Sequence, residues 1–255
     1  MKLEPITEFL LQIRNRLYRS EWRQFSDIVI HADESVVKKH GLYAAAKAGD
    51  IQAAQGLILE TATLAGVEKI CELMADKQPF LLPVHAVEAE GRNPIPLVLA
   101  QMLSKMLNLP LDTAVVQINT VSHTGADGFT RLAFPALFDG IVQPSEYFLV
   151  DDFIGQGGTI ANLKGFLESH GAQVIGATTL TGKAYSAKLQ LREETLEALR
   201  KKHGSELEDW WLDAFGYGFT RLTESEARYL SRADDAYSIT TRIVAARRQR
   251  DHRLP

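Results

Sequence analysis

The chain has 255 residues, of which 45% are hydrophobic and 24% charged, and it carries a formal net charge of -4 at pH 7. This composition is typical of a soluble globular protein that can bury a full core, and the negative charge gives no general case for nucleic-acid binding. No stretch approaches the length of a membrane-spanning helix, the first residues lack the apolar centre of a signal peptide, and a single cysteine, Cys71, excludes an internal disulfide, so we expect a cytoplasmic protein.

Residues 1–77 are predicted to form a mainly helical extension packed on the core or forming a dimer surface. The spacing of apolar residues predicts helices over residues 8–19, 43–48 and 51–75, the last capped by Asp50, and a short strand over residues 27–31. Cys71 is expected to be a small core residue of the third helix. The basic run 38–40 could contact a phosphate or form a solvated face.

The next segment predicts two further strands, each followed by polar residues. Residues 80–84 form an apolar run, the polar stretch 85–93 follows, and Pro96 suits the first turn of a helix with a core face. Residues 115–121 predict another strand. The polar segment 122–131, with two glycines, predicts a loop that is free to move.

Residues 147–159 are the most informative part of the chain. Four apolar residues, typical of a buried parallel strand, lead into Asp151 and Asp152, and a glycine-rich turn then precedes a helix with Gly171 near its end. Ligands of open α/β sheets bind at the carboxyl ends of strands, and a turn at a helix N-terminus offers free N–H groups to a phosphate. The pattern therefore predicts a site for a ligand with hydroxyls and a phosphate, such as a ribose 5-phosphate.

Two other phosphate-binding loops do not fit this turn. A P-loop requires Lys directly after its last glycine, where this chain has Thr159. The dinucleotide fingerprint places its acid about 20 residues after the glycines, whereas both acids precede them here. An acid pair that only caps a turn in an ordinary α/β domain remains the alternative.

Residues 148–159 resemble the phosphoribosyl pyrophosphate (PRPP) binding motif of the type I phosphoribosyltransferases. The resemblance implies an α/β fold with a parallel sheet flanked by helices, a core over residues 78–185 and a helical C-terminal hood or tail over residues 186–255. It also implies Mg²⁺-dependent transfer of ribose 5-phosphate from PRPP to a nitrogen acceptor, most simply a nucleobase, with release of diphosphate. A homodimer is expected.

The same resemblance implies roles for individual residues. Asp151 and Asp152 would hold the ribose hydroxyls, and the 5-phosphate would be wrapped by the turn, which consists of Gly155, Gln156, Gly157, Gly158 and Thr159. Segment 122–131 would be the mobile loop that closes over the substrate. The remaining candidates are Gly91, Arg92 and Lys183 for the diphosphate, Arg131 as a further contact to it, and His123 for a proton; each could instead be an ordinary surface residue.

Departures from the family pattern leave the acceptor and the activity open. Gly155 stands where enzymes acting on 6-oxopurines usually carry an Asp, which argues against hypoxanthine or guanine. One alternative is a non-catalytic regulator or effector, of the toxin or defence type, that binds PRPP or a nucleotide as a signal. Another is a hydrolase of nucleotides or PRPP.

The C-terminal part is predicted to add one strand and several helices. Residues 173–180 predict the next strand, and residues 189–202 an amphipathic helix. The aromatic segment 210–219 could stack on a base, although core packing of a lid is the simpler interpretation. Residues 247–253 form a basic tail that is expected to be solvated.

Overall fold

The computed structural model describes residues 16–85, 87–88, 91–119 and 127–251. Its centre is a four-stranded parallel sheet formed by β1 (Val29–Asp33), β2 (Phe80–Pro83), β7 (Glu146–Ile154) and β8 (Gln173–Gly182). The strands lie in the order β1-β8-β7-β2. Two antiparallel pairs accompany the sheet: β3 (Val87–Glu88) with β4 (Gly91–Arg92), and β5 (Val115–Gln117) with β6 (Phe138–Gly140).

Helices cover both faces of the sheet. Successive residues of a strand point to opposite faces, so one strand contributes side chains to two cores. Phe148 and Val150 face a core formed with α3 (Ile51–Thr61), α4 (Leu64–Met74) and α5 (Ile95–Leu107). Tyr147 and Leu149 face the other core, which contains α7 (Gly158–Ser169). The predicted α/β fold with a parallel sheet flanked by helices is therefore confirmed.

The N-terminal segment differs from the prediction in several details. Its strand β1 joins the edge of the central sheet, and the short helices α1 (Glu34–Lys38) and α2 (Tyr43–Lys47) follow it. The helix predicted over residues 51–75 is two helices, because Ala62 and Thr63 are extended and the Thr63 hydroxyl accepts a hydrogen bond from the first turn of α4. Asp50 caps α3, as predicted.

Two further N-terminal predictions are wrong. Cys71 is exposed, because it lies on the side of α4 away from the core. Residues 16–19 are not helical, and the rest of the helix predicted over residues 8–19 lies outside the described residues. The non-helical backbone instead carries Arg19 into the protein interior.

The segment predicted to be a mobile loop is partly helical. Helix α6 (Gly128–Ala133) begins after Asp127, whose carboxylate accepts a hydrogen bond from the Thr130 N–H at 2.7 Å. Strand β5 is also shorter than predicted, since it ends at Gln117. Residues 120–126, and with them the predicted proton-handling residue His123, lie outside the described residues.

The C-terminal part folds as helices α8 (Glu193–Phe215), α9 (Glu224–Ser231) and α10 (Ala236–Asp251), which pack with α6 around a third core. Trp211 and Phe219 are fully buried there, so the aromatic segment contributes to packing. Arg247 is also buried, 1% exposed, under the Phe215 ring, and the prediction of a wholly solvated tail is wrong at this position. No helix of the described ranges has the length and apolar character needed to cross a bilayer.

Candidate functional site

The two predicted site acids lie at the carboxyl end of strand β7, in the middle of the sheet. Strand β7 continues through both of them to Ile154, so the acids belong to the strand and do not follow it. Asp151 and Asp152 are only 6% and 9% exposed. Two adjacent carboxylates at such low exposure require partners, because an isolated buried charge is strongly unfavourable.

Asp152 finds its partner in a lysine from the N-terminal segment. The Lys47 ammonium lies 2.9 Å from the Asp152 carboxylate, and both side chains are largely buried. Burial by itself would raise the pKa of Asp152, but the Lys47 charge and hydrogen bonds from Lys47 and Asn93 outweigh it and hold this pKa below its ordinary value. Asp152 is therefore the ionised member of the acid pair.

Asp151 has the opposite character. Burial, reinforced by the neighbouring Asp152 charge, raises the pKa of Asp151 well above its ordinary value. One of its carboxyl oxygens accepts a hydrogen bond from the Asp152 backbone N–H at 2.8 Å, which only partly offsets this effect. The pair therefore combines one fixed negative charge with one carboxyl group that ionises readily only when a cation or a donor approaches.

Asp151→Asn is expected to stabilise the protein at neutral pH. The raised pKa means that the folded protein binds the Asp151 proton more tightly than the unfolded chain, so this stabilisation is complete at low pH and is lost as pH rises through the raised value. Asparagine retains the acceptor oxygen without the charge. Thermal unfolding should show a higher melting temperature than wild type at neutral pH, by about 2–4 °C for each kcal/mol gained.

Acidic conditions provide the control for this prediction. Below the ordinary pKa of an Asp, wild type and Asp151→Asn should melt together, because both carry a neutral group there. Asp213→Asn, at an exposed position, should change neither value. If Asp151→Asn melts at a lower temperature than wild type at neutral pH, the assignment of a buried Asp151 with a raised pKa is wrong.

The predicted glycine-rich turn directly follows the acid strand and opens helix α7. Gly157 precedes the helix with φ +81°, in the left-handed region that favours glycine. The first N–H groups of a helix have no partner within it and, together with the helix dipole, favour an anion. The turn is therefore suited to a phosphate. Because the helix begins at Gly158, the last two residues of the predicted turn, Gly158 and Thr159, belong to the first turn of α7.

Gly157→Ala is expected to destabilise the protein more than the same change at another glycine with positive φ. A Cβ at Gly157 would lie 2.1 Å from the Leu189 side chain, whereas one at Gly171, with φ +89°, would meet nothing within 4 Å. The left-handed backbone costs each variant about 1–2 kcal/mol, and overpacking adds about 1–3 kcal/mol only at Gly157. Urea unfolding of both variants measures the difference; equal losses would mean that Leu189 moves aside freely.

A cavity of about 350 Å³ connects the acid pair to the turn. Lys47 lines it near Asp152, and Gly155, Gln156, Gly157, Gly158 and Thr159 all line it at the turn. Lys38, from the basic run, also lines it, with its ammonium 4.2 Å from the centre of the Phe153 ring. The cavity thus brings carboxylates, two lysines and a helix N-terminus together in one site.

Behind the turn, this cavity ends at a buried ion pair. The Arg19 guanidinium and the Glu226 carboxylate are 2.8 Å apart, with each side chain 3% exposed. A Cβ at Gly158 would lie 2.7 Å from the Glu226 carboxylate, so the pair lies directly against the turn. The Thr223 hydroxyl, at the start of α9, donates to the Gln156 carbonyl at 2.6 Å.

Sequence reasoning missed Lys47, Arg19 and Glu226. Lys47 is 105 positions from Asp152, and Arg19 is 207 positions from Glu226, so no local spacing connects either pair. One local signal was available: Thr223 and Glu226 have the spacing of a capping box, and the structure forms it. That signal marks the start of α9 but does not locate it beside the turn.

The remaining predicted residues are separated by the structure. Arg131 reaches the first cavity, where its guanidinium lies close to Gly155 and would be 2.8 Å from a Cβ at that position. Lys183 instead lines a neighbouring cavity. Gly91 and Arg92 form strand β4, and the Arg92 side chain lies outside the described part of the structure.

The resemblance implies Mg²⁺, and the first cavity offers two carboxylates that could hold it. Within the described residues, no three His, Cys, Asp or Glu side chains cluster in a way that could hold a metal ion. Proteins nevertheless often bind Mg²⁺ through one or two carboxylates while substrate phosphates and water supply the other oxygens. Asp151 and Asp152 fit that arrangement.

Comparison with known proteins finds relatives of greater length than this chain. No protein family model matches. "Protein TraN" of Escherichia coli is 36% identical over 241 residues, which cover 94% of this chain and 54% of that protein. An uncharacterized protein of Haemophilus influenzae is 43% identical over 169 residues, covering 66% of this chain and 37% of that protein. The chain therefore spans about half or less of these relatives.

Among solved structures, an adenine phosphoribosyltransferase from Rhodothermus marinus is similar over 54% of this chain and 75% of that protein. Its sequence identity is 16% and its TM-score 0.35. A TM-score this low does not establish a shared fold.

Proposed function

We propose that this protein is a phosphoribosyltransferase that transfers ribose 5-phosphate from PRPP to a nitrogen acceptor and releases diphosphate. One observation carries the proposal: a single cavity contains two buried acids at the end of a central parallel strand and the glycine turn that opens the next helix. Carboxylate oxygens can accept hydrogen bonds from the hydroxyls of a ribose, and the free N–H groups of the turn can bind a phosphate. The sequence motif over residues 148–159 supports the same conclusion.

In this proposal, Asp151 and Asp152 accept hydrogen bonds from the ribose 2- and 3-hydroxyls. Lys47 holds the Asp152 carboxylate in place across 2.9 Å and keeps it ionised. The turn from Gly155 to Thr159 binds the 5-phosphate through backbone N–H groups and the Thr159 hydroxyl. The ribose is thus held at two ends, which fixes its C1 atom relative to the acceptor.

The chemical step breaks the bond between C1 and the diphosphate oxygen and forms a bond from C1 to the acceptor nitrogen. The oxygen leaves with the bonding electrons, and the nitrogen lone pair forms the new bond. Positive charge grows on the ribose meanwhile, and the ionised Asp152 stabilises it electrostatically. Mg²⁺, bound with the diphosphate, would neutralise charge on the leaving group. Arg131, which also lines this cavity, would share that task, whereas the other described arginine of the lining, Arg19, is paired with Glu226.

Diphosphate release tests this function. The protein is incubated with PRPP, Mg²⁺ and one of a panel of purine, pyrimidine and other nitrogen acceptors, and free diphosphate is measured over time. Release that requires one acceptor supports the transferase and identifies its substrate. Release of diphosphate and ribose 5-phosphate without any acceptor would assign a hydrolase, and binding of PRPP without release would assign the regulator or effector.

A further inference from the structure

A second cavity, of about 250 Å³, lies beside the first. The two share Arg131, Gly155 and Gln156, so the turn forms part of the wall of both. The acid pair and Lys47 line only the first cavity. The second cavity is bounded instead by the end of strand β8 and by helix α9.

Among the described residues, the charges that line the second cavity are all positive. They are four cationic side chains, Arg131, Lys183, Arg228 and Arg232. None of the described lining residues is an Asp or a Glu. The chain as a whole has a net charge of -4, so this concentration of positive charge is produced by the fold and not by the composition.

Assembling these cations is unfavourable without an anion. Arg228 lies in the last turn of α9 and Arg232, four positions later, is its C-cap residue; like charges at that spacing repel by about 0.2–0.5 kcal/mol. Arg131 and Lys183 come from two other segments of the chain, and low-dielectric walls strengthen the repulsion among all four. A bound anion would reverse the sign of this interaction.

Nearby carboxylates are engaged by other groups. Glu224, at the start of α9, pairs with Arg192 at 2.7 Å, and Glu226 pairs with Arg19 at 2.8 Å. Asp127 caps α6 through the Thr130 N–H at 2.7 Å, and the Arg131 charge also helps to lower the pKa of Asp127. Glu224 and Glu226 therefore have partners outside the second cavity, whereas Asp127 offsets part of the Arg131 charge without lining the cavity.

Part of the cationic set is held in position by an aromatic ring. The Lys183 ammonium lies 5.8 Å and the Arg228 guanidinium 5.9 Å from the centre of the Tyr185 ring, distances at which cation–π attraction operates. Tyr185 itself is 57% exposed and lines the cavity. The site thus has an accessible opening and partly ordered charges, which lowers the entropic cost of binding.

We propose that this second cavity, the cationic cavity, is a binding site for an oligophosphate. Planar guanidinium groups match phosphate oxygens in pairs, and four cations balance about two or three phosphate groups. The phosphate chain is the recognised group, whether it belongs to an inorganic oligophosphate or to a nucleoside triphosphate. Oligophosphate binding here does not require PRPP, because Arg228 and Arg232 do not line the first cavity.

Calorimetric titration of the full chain with inorganic triphosphate, without Mg²⁺, tests the site. Arg228→Gln combined with Arg232→Gln should weaken binding by about tenfold or more, since charge-assisted hydrogen bonds are lost. Lys69→Gln with Lys201→Gln removes the same charge from exposed positions outside both cavities and should change the affinity by less than about twofold. Asp151→Asn with Asp152→Asn should bind triphosphate at least as well as wild type.

Several outcomes would overturn the proposal: no saturable binding to wild type, unchanged affinity in the arginine double variant, or an equal loss in the lysine control. Arg232 is exposed and Arg228 half-buried, so the double variant should keep the wild-type melting temperature. Arg228→Lys keeps the positive charge but loses the planar guanidinium group, and it should bind triphosphate with an intermediate affinity. A parallel titration with ATP separates the sources. If ATP and inorganic triphosphate bind with equal affinity, the site recognises the phosphate chain alone. If ATP binds about tenfold more tightly, the site recognises a nucleotide.

Discussion

Arg19→Met is expected to destabilise the protein by about 3–5 kcal/mol, because it breaks a buried ion pair. Arg19 and Glu226 are each 3% exposed at the side chain, and their charged groups are 2.8 Å apart. Burial disfavours the charged Arg19, but Glu226 outweighs it and raises the pKa of the guanidinium. Without Arg19, the Glu226 carboxylate would remain buried beside the turn with no opposite charge. Urea unfolding followed by circular dichroism measures the loss.

The partner substitution distinguishes a buried charge from simple packing. Glu226→Gln removes the charge but keeps an acceptor for the Thr223 backbone N–H, which the Glu226 carboxylate accepts at 2.9 Å. Adding Glu226→Gln to Arg19→Met should therefore recover part of the lost stability, since no unpaired charge remains. A loss below about 1 kcal/mol for Arg19→Met alone, in the range of a surface pair, would show that the ion pair does not secure α9 to the turn.

The double variant Asp151→Asn, Asp152→Asn is expected to lose diphosphate release by about 100-fold or more while remaining folded. Removal of a single electrostatic group from a preorganised site commonly lowers turnover by about 100- to 1,000-fold. Stability should not fall with activity for Asp151, whose charge is unfavourable in the fold. For Asp152, the asparagine keeps an acceptor oxygen but leaves the largely buried Lys47 ammonium without the Asp152 charge, so part of the stability is lost at this position. Initial rates at saturating acceptor and a melting curve give both quantities from one preparation.

A matched control separates this loss from a general effect of charge. Asp209 and Asp213 are exposed residues of α8 that line neither cavity, and Asp209→Asn with Asp213→Asn removes the same two charges. That variant should release diphosphate at the wild-type rate. If the acid-pair variant also kept the wild-type rate, the two acids would have no part in the chemistry, and the turn would be the only functional element of the motif.

Local features of the site followed from the sequence, because neighbouring residues determine them. Asp151, Asp152 and the glycines are adjacent in the chain, so one strand and one turn are sufficient to bring them to the cavity. The cap at Asp50 and the end of α7 near Gly171 are equally local. The break at Thr63 had a signal too, a hydroxyl residue before an apolar run, but the helical spacing on both sides concealed it.

Features that depend on distant residues could not be predicted in this way. Lys47 meets Asp152 because strand β1 joins the sheet and carries the following helices toward the carboxyl end of β7. Arg247 and Cys71 show the converse, since a basic tail predicts solvent and a cysteine predicts burial, yet packing of the helices decides otherwise. Exposure of a single residue on a helix depends on which neighbour covers it, and composition does not contain that information.

The most direct test of the ribose 5-phosphate site is calorimetric titration of PRPP with Mg²⁺ into the wild-type protein and into the variant Asp151→Asn, Asp152→Asn. We expect saturable binding to the wild type and an affinity lower by about tenfold or more in the variant, because the ribose hydroxyls lose the ionised acceptor Asp152 and the carboxyl acceptor Asp151. Arg228→Gln with Arg232→Gln should bind PRPP as the wild type does, since neither side chain lines the first cavity. If PRPP does not bind to the wild type, or binds to the acid-pair variant with unchanged affinity, the assignment of this cavity to a ribose 5-phosphate is wrong.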